Sequence, residues 1–450
     1  MHIHILGICG TFMGGIAALA QQAGHRVTGC DANVYPPMST QLHALGIEVI
    51  EGWEPDQLSL RPDLFVVGNV VSRGNPLMEA ILDQRLPFTS GPQWLGEHVL
   101  SQRRVIAVAG THGKTTTTAL AVWMLRRSGF DPGFLVGGVV PQLEGSARLG
   151  EGEWFVVEAD EYDTAFFDKR SKFVHYRPEI AVLNNLEFDH ADIFDSLSDI
   201  EWQFHQLVRI VPRTGRLVIN ADDPNLPSVI NRGQWTPQLR VSAMGRADSD
   251  VSVSTAESGK IVASYDHQSV TTNWLLRGRH NAANVSAALG ACISAGATLQ
   301  GCMASLAEFR GVKRRLEALV QVNGAWVYDD FAHHPTAIRA TISALREGNS
   351  GRVIVVFEPR SRTMRSGTHG DALVAAFEGA DDLLVFSEHD LEWSINSELS
   401  AFDGFLQAFS SSSMLADTLL NRVSSGDSVV LMSNGALGGL RERLVGDRAA

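Results

Sequence analysis

Short apolar runs, rich in Val and Ile and bounded by Gly, Pro, Asn or Asp, recur along the whole chain. They predict strands at His2–Leu6, Arg26–Cys30, Leu64–Val67, Arg104–Ala109, Trp154–Val157, Ile180–Leu183, Leu217–Asn220, Val353–Phe357, Leu383–Phe386 and Val429–Met432. Stretches with helical spacing of apolar residues separate most of them. A strand with one wet face alternates apolar and polar residues. Runs that are apolar throughout, alternating with helices, instead imply parallel sheets covered on both faces. Leu316–Val327 does alternate, and so predicts a hairpin. No internal repeat is visible, and the low-complexity patch Ser410–Ser413 reads as a loop.

Two breaks divide this pattern. A polar stretch, Ser101-Gln102-Arg103-Arg104, precedes a fresh strand. Gly311-Val312-Lys313-Arg314-Arg315 follows a long helical region. For 450 residues, three domains result, at 1–101, 102–312 and 313–450. The expected fold class is α/β, each domain built on a mainly parallel sheet. With 44% hydrophobic and 19% charged residues the chain can fill sizeable cores. Its net charge of -13 argues against nucleic acid or an anionic membrane as the main partner. The four cysteines, Cys9, Cys30, Cys292 and Cys302, form no C-x-x-C pair, so neither a zinc ribbon nor a disulfide framework is expected. A cytoplasmic location follows as the default. Residues 3–20 carry no charge and resemble a signal segment, but no basic residue precedes them and Gly7, Gly10, Gly14 and Gly15 interrupt them. A strand, a Gly turn and a helix fit better.

The sharpest chemical signal is the run Gly110-Thr111-His112-Gly113-Lys114-Thr115-Thr116-Thr117 between a strand and a helix. Such a turn aims backbone N–H groups and a helix N-terminus at phosphate oxygens. Lys114 would reach the β/γ-phosphates and the Thr115 hydroxyl would bind magnesium. The pattern G-x-x-x-x-G-K-[ST] is incomplete, because Val108 stands where its first Gly belongs. Glu158 and His190 follow later strands of the same pattern, and strand C-termini are where ligands sit in parallel sheets. Taken alone, Glu158 could equally be a solvated acidic turn, and Asp189-His190 a helix cap. At the N-terminus, Gly7-Ile8-Cys9-Gly10-Thr11 follows the first strand. Cys9 and Phe12 replace two glycines of a dinucleotide fingerprint, which disfavours NAD and with it a dehydrogenase.

The loop Gly110–Thr116 resembles the ATP loop of the Mur ligases, the ATP-dependent amide-bond-forming enzymes of peptidoglycan assembly. Further motifs stand in the same order over nearly the whole chain: Glu158-Ala159-Asp160-Glu161-Tyr162-Asp163, Asn185-Leu186-Glu187-Phe188-Asp189-His190, Gly278–Asn284, Gly311–Arg315 and Asp329–Pro335. The resemblance implies a Rossmann-like UDP-binding domain, a P-loop ATPase domain and a Rossmann-like C-terminal domain. It implies ATP at Gly110, Thr111, His112, Gly113, Lys114, Thr115 and Thr116. Adenine would lie on His280, Asn281 and Asn284, the γ-phosphate on Arg315 and the ribose on Asp330. Mg2+ would lie on Thr115, Glu158 and His190, so that Lys114, Glu158, His190 and Arg315 form the catalytic set. The UDP-sugar would occupy Gly7, Gly10, Thr11, Asp31, Asn69 and Ser72. Several members carry a carbamylated lysine where this chain has His205. That departure points to the branch that takes UDP-N-acetylmuramate.

Within that branch, one member adds L-alanine and another adds the recycled tripeptide L-alanyl-γ-D-glutamyl-meso-diaminopimelate. Asp160–Phe173, Phe188–Phe194, Ser90–Leu95 and Phe357–Ser361 resemble the tripeptide enzyme. A tripeptide carries several carboxylates, and an arginine fork fits a carboxylate. Arg360, Arg362 and Arg365, with His333, are therefore the peptide-binding candidates. The expected reaction passes through an acyl phosphate, with His190 and His333 as candidates for a general base. The partners expected are small molecules, namely UDP-N-acetylmuramate, the tripeptide and ATP, with no nucleic acid and no membrane. A folylpolyglutamate-type ligase would share the ATP loop but lack the first domain, and a nucleotide-regulated binding protein would need neither Glu158 nor His190.

Overall fold

The computed structural model describes residues 1–446 apart from 33, 35–37, 144, 192, 257, 258 and 348. Asp192, within the Phe188–Phe194 motif, and residues 447–450 of the third expected domain lie outside the described residues. The chain forms two compact units. One comprises Met1–Phe188, Ser196–Asn273 and Ala283–Phe309, the other Asp189–Asp195, Trp274–Ala282 and Arg310–Ala450.

The first unit contains two large sheets. One is parallel throughout, with strands in the order Glu48–Glu51, Arg26–Asp31, His2–Leu6, Leu64–Val67, Phe88–Ser90. The order reverses beside His2–Leu6, which leaves a crevice at the C-terminal end of that strand. The turn Gly7–Gly10 lies there, ahead of the helix Thr11–Gln22. The other sheet is parallel around Arg104–Ala109, which has Ile180–Leu183 on one side and Trp154–Ala159 on the other. The residues Val105–Ala109 are at most 2% exposed, as an uninterrupted apolar run predicts. The loop Gly110–Gly113 leaves the C-terminal end of this central strand.

The second unit holds a sheet in the order Glu317–Val322, Ala325–Asp330, Ser428–Met432, Val353–Phe357, Asp382–Phe386, Phe405–Phe409. The expected hairpin is its antiparallel edge, and the remaining pairs are parallel. Val353–Phe357 is wholly buried, each side chain contributing roughly 1.5–3 kcal/mol. Ile338 and Phe377 cover one face of the sheet, Leu415 and Leu440 the other.

Every expected strand forms, most within one or two residues of the expected bounds. The sequence pattern missed the edges. Val251–Ala256, Lys260–Tyr265 and Gln268–Asn273 make an antiparallel meander at the border of the second sheet. Gln268–Asn273 is polar and largely exposed, so it has no apolar run to announce it. Among the described residues no helix is long and apolar enough to cross a membrane.

Candidate active site

The phosphate loop is held from below by side-chain amides. His112 N–H donates to Asn185 Oδ1 at 2.7 Å, Asn185 Nδ2 donates back to the His112 carbonyl at 2.9 Å, and Glu187 N–H donates to Thr111 Oγ1 at 2.9 Å. Gly113 has φ +74°, and a Cβ there would lie 2.3 Å from Asn284 Oδ1, so glycine is required twice over. That Asn284 oxygen accepts from Thr117 Oγ1 and Asn184 Nδ2, both at 3.1 Å. Asn284, which the resemblance gives to adenine, is thus built into the support of the loop. Gly113 caps the helix Lys114–Arg127 without a side-chain bond, and the first turn carries no acidic residue. That helix end is suited to an anion.

Lys114 is buried. Its Nζ lies 2.7 Å from the Gly110 carbonyl, 3.0 Å from Glu161 Oε2 and 3.8 Å from Asp160 Oδ1. Burial disfavours the ammonium, but Glu161, Asp160 and Glu158 together outweigh it and push its pKa above the ordinary lysine value. Asp160 also binds a second buried cation, Lys172, at 3.1 Å. The Lys172 ammonium meets the Tyr162 hydroxyl at 3.0 Å and lies 4.7 Å from the ring of Phe12, in the first turn of the helix Thr11–Gln22. Burial raises the pKa of Asp160, yet Lys172 and Lys114 overcome it and hold the carboxyl below the usual range. Sequence reasoning quoted Asp160, Glu161 and Lys172 within a motif but gave them no role. The density of acids in Glu158–Asp163 was the available signal.

The structure brings Thr115 and Glu158 together. Thr115 Oγ1 donates to Glu158 Oε1 at 2.9 Å, and Gly137 N–H donates to Oε2 at 2.7 Å. Burial and the Asp160 charge raise the Glu158 pKa, which marks a carboxylate short of positive charge. Hard oxygen donors with a deficit of cation fit Mg2+. His190 belongs to the second unit. It has φ +53°, and its N–H donates to Asp189 Oδ1 at 2.7 Å, so this pair forms a turn rather than a helix cap. His205 is 6% exposed between Trp202 and Trp235, with ring centroids 6.3 and 6.4 Å away.

In the N-terminal sheet, Gly7 has φ +80° and the helix Thr11–Gln22 starts at Gly10 without a side-chain cap. Asp31 Oδ2 accepts from Cys9 N–H at 2.9 Å. Burial, then the Asp31 charge, pushes the Cys9 thiol up to about 11. Asp31, Trp53, Ser72, Arg73 and Asn75 line a cavity of about 390 Å³. Asn69 is exposed and outside that lining. Asn75 caps the helix Pro76–Asp83 by accepting from Met78 N–H, and Arg73 pairs with Glu79. Trp53 was not anticipated; Arg73 lies in the loop of Asn69 and Ser72, which the sequence offered for the UDP-sugar, but was given no role of its own.

In the second unit, burial, then Arg315, lowers the His280 pKa to about 4, so its imidazole is neutral. Asn281 Nδ2 donates to the Arg277 carbonyl at 2.7 Å. Asp330 accepts from the N–H groups of Leu316 and Ala332 at 2.6 and 2.8 Å. Burial raises its pKa despite Arg315. Arg314 and Leu316 have φ +61° and +52°, a conformation costing on the order of 1–3 kcal/mol each. His333 Nδ1 lies 2.9 Å from the Phe331 carbonyl. At the end of Val353–Phe357, Arg360 has its side chain 39% exposed, 3.7 Å from buried Glu358. Arg362 and Arg365 are exposed on the single helical turn Arg362–Arg365, capped by Ser361 Oγ, which accepts from Met364 N–H at 3.2 Å.

In chain order, a parallel nucleotide-type sheet, a glycine-loop helix with buried lysine and carboxylates, and a third, mostly parallel sheet follow one another. Residues 2–103 match the Mur ligase family catalytic domain, 108–292 the Mur ligase middle domain and 314–435 the Mur ligase glutamate ligase domain. The chain belongs to the Mur ligase family. It is 47% identical to the UDP-N-acetylmuramate–L-alanyl-γ-D-glutamyl-meso-2,6-diaminoheptandioate ligase of Escherichia coli, with 99% of this chain and 98% of that protein aligned. It is 35% identical to the UDP-N-acetylmuramate–L-alanine ligase of Syntrophomonas wolfei, over 86% of this chain and 82% of that protein. The crystal structure of a murein peptide ligase from Psychrobacter arcticus superposes with a TM-score of 0.78 at 42% identity, covering 100% of both chains.

Proposed function

We propose that the chain joins the carboxyl group of UDP-N-acetylmuramate to the free amine of L-alanyl-γ-D-glutamyl-meso-diaminopimelate, consuming ATP. This is a step of peptidoglycan recycling, carried out in the cytoplasm where ATP and UDP-sugars are available. The full-length likeness to the E. coli ligase carries the reading, and the oxygen-and-lysine cluster at the phosphate loop supports its chemistry.

A carboxylate is a poor acyl donor because oxide is a poor leaving group. Transfer of the ATP γ-phosphoryl to the muramate carboxylate gives an acyl phosphate and ADP. The peptide amine then attacks the acyl carbon, phosphate departs, and the amine proton is lost. The loop amides and Lys114 bind the phosphates, and Lys114 and Arg315 stabilise charge on the moving phosphoryl. Thr115, Glu158 and His190 would hold Mg2+, which when bound neutralises phosphate charge. His280 in its neutral form is suited to a base edge, and Asp31 with the Gly7–Thr11 turn to the uridine diphosphate. Arg360 and Arg362 receive peptide carboxylates.

Phosphate release from ATP with UDP-N-acetylmuramate, comparing tripeptide with L-alanine, tests the reading. Turnover with tripeptide and little with L-alanine is expected. The opposite preference would make the chain an L-alanine ligase of peptidoglycan synthesis.

A further inference from the structure

We infer that Arg314 is a positioning residue that fastens the chain segment presenting Arg315, its neighbour, to the transferring phosphoryl group. The inference rests on the reading of Arg315 as the γ-phosphate contact.

Arg314 and Leu316, on either side of Arg315, both adopt the left-handed conformation that residues with a Cβ avoid. Such a segment keeps its shape only when its surroundings over-determine it. Its backbone is tied at four points, one of them Arg315 N–H donating to the Val312 carbonyl at 3.2 Å. Arg314 N–H donates to Glu317 Oε2 at 2.9 Å, Leu316 N–H donates to Asp330 Oδ2 at 2.6 Å, and the Arg314 carbonyl accepts from Phe331 N–H at 2.8 Å. The Arg314 side chain makes the long-range tie. Its Nη2 donates to the carbonyls of Ser433 at 2.5 Å and Gly435 at 3.0 Å, in the turn after the strand Ser428–Met432.

Charge balance does not account for this guanidinium. Its nearest acid, Asp329, is already paired with Arg441 at 2.7 Å and lies 3.6 Å from Arg314. What Arg314 supplies is one terminal nitrogen, Nη2, that donates to two neutral carbonyls, on a flat guanidinium lying 5.1 Å from the Phe331 ring. Arg315 lies 5.0 Å from the same ring. The two arginines therefore share one aromatic support, and the fixed position of the first sets where the second begins. A lysine at 314 would keep a multiple donor but lose the flat group that lies against the Phe331 ring.

Steady-state phosphate release by the full-length enzyme, with ATP, UDP-N-acetylmuramate and tripeptide, provides the test for Arg314→Ala, Arg315→Ala and the double variant. Arg314→Ala should lower kcat by about 10²-fold, the scale for one misplaced transition-state partner. The KM for UDP-N-acetylmuramate should stay within about threefold. The double variant should be no slower than Arg315→Ala by more than about threefold, because both changes remove one function. Arg314→Lys should recover part of the rate. Losses that multiply in the double variant overturn the positioning role. Normal turnover in Arg315→Ala overturns the phosphate contact and the inference with it. Trypsin separates the fastening from the ligase reading, since it needs no substrate: cleavage after Lys313 and Arg315 should accelerate in Arg314→Ala at an unchanged thermal midpoint. Unchanged cleavage in that variant means the segment is held without Arg314. Should Arg314→Ala fail to fold, Arg314→Gln carries the same measurements.

Discussion

Lys114 and Arg360 are both cations expected to meet anionic substrates, and their surroundings differ in kind. Lys114 is enclosed, with Glu161 only 1% exposed at 3.0 Å and Asp160 close behind. Arg360 has its guanidinium 3.7 Å from Glu358 and 39% of its side chain in solvent. The enclosed charge is fixed in place before any ligand arrives, which is what transition-state stabilisation requires. The half-exposed one is screened by water and free to adjust, which suits selection among peptides more than chemistry. In the proposed reaction the cation that meets the phosphates is enclosed, and the one proposed to meet the peptide is partly in solvent.

The largest effect should come from breaking the enclosed pair. Lys114→Ala should cut turnover by about 10²–10³-fold. It should also destabilise the fold by about 3 kcal/mol, since buried Glu161 loses the lysine ammonium it faces. Adding Glu161→Gln should restore the unfolding midpoint but not activity. Recovery of both would mean Lys114 is structural only. Next, Glu158→Ala should weaken the apparent affinity for Mg2+ by about 10²-fold, and raising magnesium should partly restore turnover. An unaltered magnesium dependence would remove Glu158 from the metal site.

Smaller effects are expected where charge is exposed. Arg360→Ala should raise the KM for tripeptide by about 10–100-fold, the equivalent of one charge-assisted fork, with little change for ATP or UDP-N-acetylmuramate. Equal shifts for all three substrates would point to a folding defect. Ser361→Ala removes the cap of the turn bearing Arg362 and Arg365, worth about 1 kcal/mol. About a fivefold rise in the same KM should follow if that turn is part of the peptide site. No change would confine recognition to Arg360.

The sequence exposed these two regions unequally. The phosphate loop is one contiguous strand, turn and helix, so each of its residues has a position dictated by local geometry. The Lys114 partners lie 46 and 47 residues further along, at Asp160 and Glu161, and only the pairing of Arg104–Ala109 with Trp154–Ala159 brings them back. Asn284 illustrates the reverse difficulty. Its motif is plain, but nothing local reveals that its oxygen faces Thr117 and Asn184. Central strands announced themselves by burial on both faces. Gln268–Asn273, with one neighbour and a wet surface, did not.

The thiol of Cys9 stands in the turn where many nucleotide folds have glycine. With its pKa pushed up to about 11 by burial and then the Asp31 charge, the thiol carries little thiolate at neutral pH. Alkylating compounds and mild oxidants attack that minor form. A covalent inhibitor aimed at this cysteine would therefore react slowly, and the turn should tolerate an oxidising environment that silences enzymes with activated thiols. Reversible ligands that occupy the cavity beside Asp31 are the better starting point for chemical intervention at this end of the protein.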